Sequence, residues 1–129
     1  MDSTAPVSKG RFWTGIIFSA IPVLMLLLSA GMKIVQPAPD FAKGFDHLGW
    51  PISLAITLAV IELTCTLLYV IPRTSVLGAI LLTAYLGGAV STHVRVGDPW
   101  FIPVILGIMV WLGLWLREPR LHALTPLRS

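Results

Sequence analysis

Residues 52–71 read ISLAITLAVIELTCTLLYVI, and Glu62 is the only charged side chain in this stretch. A helix of this length is about 30 Å long at ~1.5 Å per residue, which matches the hydrocarbon core of a bilayer. The stretch therefore predicts a transmembrane helix that carries one carboxylate near its middle.

Three further apolar runs flank this segment, at residues 12–32, 75–94 and 100–116. The tight connections between successive runs from residue 52 onward predict antiparallel neighbours. Charged residues make up 12% of the chain, against about 25% in soluble domains, which leaves too little polar surface to cover a soluble globule. We therefore predict an all-α polytopic membrane protein, with residues 1–129 forming one four-transmembrane-helix bundle in a lipid bilayer.

The segment between the first two runs contains two helix breakers. Lys33 closes the first run, and Pro37 and Pro39 interrupt the backbone hydrogen-bond ladder. We predict a short interfacial loop over residues 41–50, with room for one helical turn. Residues 1–9 are polar and predict a disordered lead-in.

The basic residues are divided unequally between the two ends of the predicted bundle. One end holds Lys9, Arg11, Arg73, Arg117, Arg120 and Arg128, and the other holds Lys33, Lys43 and Arg95. Because the more basic side is normally cytoplasmic, both termini are predicted to be cytoplasmic. The first run is longer than the apolar part of a signal peptide, so we expect it to be retained. The basic residues form no stripe with interleaved aromatic rings, which argues against nucleic-acid binding.

Glu62 is the most informative position for function. A bare carboxylate at the bilayer centre costs several kcal/mol, so it must be paired, hydrated or protonated. An equal depth along the next helix falls near Tyr85, and His93 shares that helix face toward its far end. We predict Glu62, Tyr85 and His93 as catalytic, proton-handling residues. The alternative is that Glu62 only fixes packing through a hydrogen bond and Tyr85 is an ordinary packed residue.

Charged side chains meet at the end of the bundle to which this helix face leads. Lys33, Arg95 and Asp98 are candidate ligand-binding residues, because a basic mouth above a carboxylate favours an anion or a proton. Anchoring in lipid headgroups is the alternative for the two cations. His93 has no second His or Cys at ligand spacing, so we expect no metal site. Cys65 is the single cysteine and is expected to be a small buried residue rather than a reactive thiol.

An ordered series of short motifs resembles the DoxX-like membrane proteins. The motifs are Ser29–Lys33 (SAGMK), Gly44-Phe45, His47–Pro51 (HLGWP), Glu62-Leu63, Ile71–Thr74 (IPRT), Leu77–Thr83 (LGAILLT), Tyr85–Ala89 (YLGGA) and His93–Pro99 (HVRVGDP). They extend over about four-fifths of the chain, and Ala30 is a small departure where a glycine is familiar. The resemblance implies a four-helix bundle in a bacterial plasma membrane. DoxD-type relatives are subunits of a thiosulfate:quinone oxidoreductase, and DoxX-type relatives are linked to membrane oxidoreductase complexes and thiol stress.

Three functions remain open at this point. The first is a subunit of, or accessory to, a quinone- or thiol-linked membrane redox system, with a quinone as candidate cofactor and Glu62 as the proton-handling or ligand-binding group. This reading implies a membrane or peripheral redox partner, because the sequence offers no electron donor. The second is a non-enzymatic assembly subunit that docks partner helices or a second copy of the chain. The third is a small transporter, which four helices without an inverted repeat favour least.

Overall fold

The computed structural model describes residues 7–36 and 39–127, and within them the chain is helical and contains no strand. In chain order the helices are α1 (Lys9–Val35), α2 (Pro39–His47), α3 (Ala55–Val70), α4 (Ser75–Arg95) and α5 (Phe101–Arg117). Short 3₁₀ helices at Ile52–Leu54, Pro72–Thr74 and Pro119–Ala123 lie before α3, before α4 and after α5. The prediction of an all-α fold is confirmed.

The first helix is longer at both ends than the predicted run of residues 12–32. The hydroxyl of Ser8 accepts a hydrogen bond from the backbone N–H of Arg11 and caps the start of α1. At the other end, Gln36 adopts a left-handed conformation with φ of 50°, which ends the helix. Lys33 therefore lies inside the last turn of α1 rather than closing the helix, and its side chain is carried by a rigid backbone.

The loop predicted over residues 41–50 is more ordered than expected. α2 is nine residues long, whereas the sequence predicted one turn. Pro39 is its first residue, a position where the missing N–H of proline costs no helical hydrogen bond. The rings of Phe41 and Phe45 lie 5.2 Å apart on one face of α2, and Phe45 is buried.

Some of the predictions fall on parts of the chain outside the described residues. These are the helix break at Pro37, the first six residues of the predicted lead-in, and Arg128. Lys9, the last residue of that predicted lead-in, already belongs to α1.

The four long helices form a ring. α1 and α4 each pack against both α3 and α5, whereas the two diagonal pairs make no close backbone contact within the described ranges. Neighbouring helices run antiparallel: the side chain of Ser19 reaches Tyr69, whereas Lys33, farther along α1, reaches the earlier Glu62 of α3. The separated diagonals leave interior space toward one end of the ring.

Two glycines allow helices of the ring to approach closely. A β-carbon at Gly78 would lie 2.2 Å from the backbone nitrogen of Tyr69, so α4 contacts the backbone of α3 there. A β-carbon at Gly113 would lie 2.3 Å from the hydroxyl of Ser19, which brings α5 against α1. These contacts fix the end of the bundle where α1 begins and α5 ends.

We name the two ends of the bundle by their contents. The basic end holds Arg11, Arg73 and Arg117, and the cavity end holds Lys33 and the whole of α2. On the basic-end side of the cavity the interior is filled by an apolar core that includes Leu82, Val110 and Leu114, and Leu26 and Leu86 lie at its boundary with the cavity. The core therefore closes the interior toward the basic end.

Three helical segments of the described chain are long and apolar enough to cross a membrane, namely Lys9–Val35, Ile52–Val70 and Pro72–Arg95. α5 is apolar but has 17 residues, which corresponds to about 26 Å. Large apolar side chains such as Leu24 and Leu28 lie on the outside of the bundle, both about two-thirds exposed. An apolar exterior of this kind is suited to lipid.

Candidate functional site

A cavity of about 450 Å³ occupies the cavity end of the bundle. Every long helix, α2 and the segment after α2 contribute to its lining. The lining residues are Met25, Leu26, Ser29, Lys33, Phe45, Leu48, Trp50, Leu58, Glu62, Ala84, Tyr85, Leu86, Gly88, Ala89, Thr92, His93, Pro103 and Leu106. The volume lies within the range of about 300–1,000 Å³ that is usual for small-molecule sites. Most of the wall is apolar, and the few polar side chains come from α1, α3 and α4.

The main polar feature of this cavity is an ion pair between α1 and α3. The ammonium Nζ of Lys33 lies 3.0 Å from Oε1 of Glu62, and the Glu62 residue is 1% exposed. The same ammonium donates to the hydroxyl of Ser29 at 2.7 Å, and Ser29 Oγ lies 3.4 Å from the same carboxylate oxygen. Burial of a carboxylate requires such a partner, because an unpaired charge in an apolar interior is very costly.

Small residues allow α1 and α3 to place this pair. Ala30, Ala55 and Ala59 are fully buried. Ser29 and Lys33 are four residues apart and therefore lie on one face of α1. Because a helical side chain points back toward the start of its helix, the long Lys33 side chain reaches down to the depth of Glu62.

Tyr85 on α4 lies near the Glu62 member of this ion pair. Its side chain lines the cavity, and its phenol interacts electrostatically with the Glu62 carboxylate. Tyr85 and Glu62 therefore contribute to one cavity. The hydroxyl supplies a second polar group from a different wall of the cavity.

His93 lines the cavity two turns farther toward the cavity end. Its Nδ1 lies 2.7 Å from the carbonyl oxygen of Ala89, so this nitrogen donates and carries the hydrogen. Thr92, its neighbour in the lining, donates its hydroxyl hydrogen to the carbonyl oxygen of Gly88. The threonine hydroxyl hydrogen is thus used within α4, whereas His93 keeps one ring nitrogen for other partners.

Arg95 and Asp98 do not line the cavity. The guanidinium of Arg95 donates to the carbonyl oxygen of Leu48, and Asp98 lies 3.0 Å from the Nε2 atom of His47. Gly49 has a φ of 83°, and a β-carbon there would lie 2.7 Å from the Arg95 guanidinium. These contacts hold the segment after α2 against the far end of α4.

This arrangement makes α2 and the residues after it the cover of the cavity. Phe45, Leu48 and Trp50 from this segment face the interior space. Of the six residues predicted as a site, Glu62, Tyr85, His93 and Lys33 therefore come together in the lining. Arg95 and Asp98 contact the cover instead, and their predicted role in ligand binding stays a prediction.

A second polar network at the basic end was not predicted from the sequence. Tyr69 donates its hydroxyl hydrogen to the carbonyl oxygen of Val110 at 2.7 Å, so the hydroxyl of Ser19, also at 2.7 Å, donates to the Tyr69 oxygen. Arg117 in turn donates to Ser19 at 3.3 Å, and its guanidinium lies 5.4 Å from the centre of the Tyr69 ring. The network links α1, α3 and α5, and no sequence motif predicts it.

Glu118 follows α5 outside the predicted spans and is held by Arg120. The Arg120 Nε lies 2.8 Å from one Glu118 oxygen, and a second guanidinium nitrogen reaches the other at 3.2 Å. These hydrogen bonds lower the pKa of the Glu118 carboxyl below its ordinary value. The only other glutamate of the chain thus lies far from the cavity and provides a matched control for Glu62.

No group of three or more potential metal ligands occurs among the residues that the structure describes. Cys65 is buried in α3 as a free thiol. The sequence missed the pairing of Glu62 with Lys33 and Ser29. The four-residue spacing of Ser29 and Lys33 was a readable signal for a polar face on α1, but it did not show which helix that face meets.

Comparison with known proteins agrees with the resemblance of the motifs. The model of the DoxX-like family matches residues 17–116, which include all the polar residues of the cavity. No curated protein and no solved structure matches the chain. Since the family model matches well over half of the chain, the protein belongs to the DoxX-like family.

Proposed function

We propose that this protein binds a quinone-type ring in the cavity lined by Glu62, as a subunit of, or accessory to, a membrane redox system. The observation that carries the proposal is the Lys33–Glu62 pair at the side of a mostly apolar cavity of about 450 Å³. A flat apolar ring fits such a wall, and a few fixed polar groups orient it.

The ion pair suits the proton chemistry of a quinone. Reduction of a quinone to a hydroquinone consumes two electrons and two protons, and oxidation releases them. Glu62 holds or releases a proton beside the ring, and the positive charge of Lys33 stabilises a developing oxyanion. Tyr85 projects from α4 beside Glu62, and its hydroxyl contributes to the same network. The electrons come from a thiol substrate or from a redox partner.

The orientation of the bundle follows from charge. We place the basic end, with Arg11, Arg73 and Arg117, in the cytoplasm, and the cavity on the opposite side of a bacterial plasma membrane. α5 is then the fourth span, and both termini are cytoplasmic. The short α5 is compatible with this because a bilayer thins locally around a short helix.

The test is native mass spectrometry of the full chain, extracted gently from its own membrane. Wild type is compared with Glu62→Gln and with Glu118→Gln, which changes a carboxylate outside the cavity. We expect a bound molecule of quinone mass in wild type and Glu118→Gln, and its loss in Glu62→Gln. Absence of any such molecule from all three, also after addition of a soluble quinone, would refute the proposal.

The alternative functions predict different experimental results. A co-purifying polypeptide whose binding depends on Glu62, without a small ligand, would indicate an assembly subunit. A second copy of the chain in the same role would indicate a homo-oligomer built around Glu62. Uptake of a solute by reconstituted vesicles that depends on Glu62 would indicate a transporter. Each of these outcomes would replace the redox proposal.

A further inference from the structure

The polar atoms of the cavity differ in whether they need a hydrogen-bond donor or a hydrogen-bond acceptor on a ligand. His93 donates from Nδ1 to the carbonyl oxygen of Ala89, so in the neutral ring the other nitrogen, Nε2, can only accept. No hydrogen bond to this Nε2 occurs within the described part of the chain. His93 therefore presents an acceptor that needs a donor.

Glu62 presents a second acceptor. Both Lys33 and Ser29 contact its oxygen Oε1, and the Tyr85 hydroxyl also interacts with this carboxylate. An ionised carboxylate accepts hydrogen bonds and donates none. Its remaining lone pairs therefore also favour a ligand that donates.

Lys33 is the complementary group. Its ammonium has three hydrogens, and two are directed at Ser29 and Glu62. The side chain is 14% exposed and lines the cavity, so the third hydrogen can reach an acceptor on a ligand. One oxygen that both donates and accepts would satisfy Glu62 and Lys33 together.

We propose that the cavity selects the hydroxyl-bearing form of an aromatic ligand, a hydroquinone or a phenol, over the corresponding quinone. The inference rests on the proposed function and assigns the form of the ligand that this site holds. A phenolic O–H donates to Glu62 or His93, while its oxygen accepts from Lys33. A quinone carbonyl only accepts, so it would leave Nε2 of His93 without a donor and would add no donor to Glu62.

The binding preference follows from this difference. An acceptor that loses water and gains no donor is penalised, and a hydrogen bond to a charged group is stronger than a neutral one. The expected preference for the hydroxyl form is about tenfold or more in dissociation constant, which is the order of one such hydrogen bond.

The test uses three probes that share one carbon skeleton: thymol, thymol methyl ether and thymoquinone. Binding to the full chain in lipid nanodiscs is measured by calorimetric titration, with empty nanodiscs as the correction for partition into lipid. We expect thymol to bind about tenfold more tightly than the ether and the quinone. Because this comparison is made on the wild-type chain, it does not depend on whether a variant folds.

Variants then locate the preference. Glu62→Gln replaces an acceptor oxygen by an amide that also donates, so the preference for thymol over thymoquinone is expected to fall toward unity. Glu118→Gln is expected to keep it. If thymoquinone binds as tightly as thymol or more tightly, and does so through Glu62, the inference is overturned while the proposed function stands. If none of the three probes binds, both are overturned.

Discussion

Lys33 on α1 and Glu62 on α3 form an ion pair of 3.0 Å at the wall of an apolar cavity. Its two side chains are 14% and 2% exposed, so water screens the pair only slightly. The pair joins two neighbouring helices and is also the main polar group of the candidate site. Stability and the proposed ligand binding are therefore both expected to depend on these two residues.

Removal of one member of the Lys33–Glu62 pair is expected to lower the free energy of unfolding more than removal of both members. Lys33→Met leaves the Glu62 carboxylate unpaired and is expected to lower the free energy of unfolding by about 3 kcal/mol. The double variant Lys33→Met, Glu62→Leu is expected to recover most of this loss, because no buried charge remains. Unfolding in mixed micelles measures both, and a double variant as unstable as the single one would contradict the argument.

The close approach of α3 and α4 at Gly78 predicts a sharp steric effect. Gly78→Ala would place a β-carbon 2.2 Å from the backbone nitrogen of Tyr69, which no side-chain rotation can relieve. We expect a loss of about 2 kcal/mol or more in the free energy of unfolding, in the range of overpacked cores. Gly87→Ala on the same helix meets no atom within 4 Å and is the control, expected to be neutral. Equal stabilities of the two variants would refute the packing.

The contact between Arg95 and the cavity cover gives a prediction about dynamics. Gly49→Ala would place a β-carbon 2.7 Å from the Arg95 guanidinium, at a φ of 83° that disfavours alanine. Amide hydrogen exchange in α2 is expected to speed up, while exchange in α3 stays unchanged. Gly44→Ala, with open space around its β-carbon, is the control. Slow exchange in α2 of both variants would show that Arg95 does not hold the cover.

Substitution of the two tyrosines is expected to affect different properties, the stability of the fold for Tyr69 and the binding of a ligand for Tyr85. Tyr69→Phe removes the hydrogen bonds to Val110 and Ser19, and is expected to lower the free energy of unfolding by about 1 kcal/mol while leaving the cavity intact. Tyr85→Phe removes a hydroxyl beside Glu62 and is expected to weaken binding of an aromatic probe with a smaller effect on stability. The two assays are mixed-micelle unfolding and calorimetric titration. A larger loss of probe binding in Tyr69→Phe and a larger loss of stability in Tyr85→Phe would contradict this assignment.

The contact between Glu118 and Arg120 predicts that the stability of the fold depends on pH. Its pKa is below the ordinary 4.5 because Arg120 donates to its carboxylate, so this contact stabilises the fold above that value. The contribution declines as the pH falls through the lowered pKa, and it is small because solvent screens the pair. Wild type is expected to be slightly more stable than Glu118→Gln at pH 7, and the difference is expected to be smaller at pH 3, below the ordinary pKa of 4.5. A difference that is the same at both pH values would contradict this.

The sequence by itself determined the all-α fold and the apolar exterior. Four long apolar runs with few charges leave helices as the structure that satisfies every backbone hydrogen bond in lipid. The runs at 75–94 and 100–116 agree with α4 and α5 to within one residue at each end. The length and start of α2 were not determined in this way, because Pro39 is as compatible with the first turn of a helix as with a break.

The sequence also identified Glu62 as a residue that must have a polar partner, since a charge in an apolar run needs one. Only the tertiary structure decided that this partner is Lys33, because the phase of an almost uniformly apolar helix does not show which neighbour a side chain meets. The structure likewise placed Arg95 and Asp98 on the cover rather than in the lining. Contacts between residues 29 positions apart in the chain, such as Lys33 and Glu62, or between α2 and α4, depend on how the helices pack, and the local sequence contains no record of that packing.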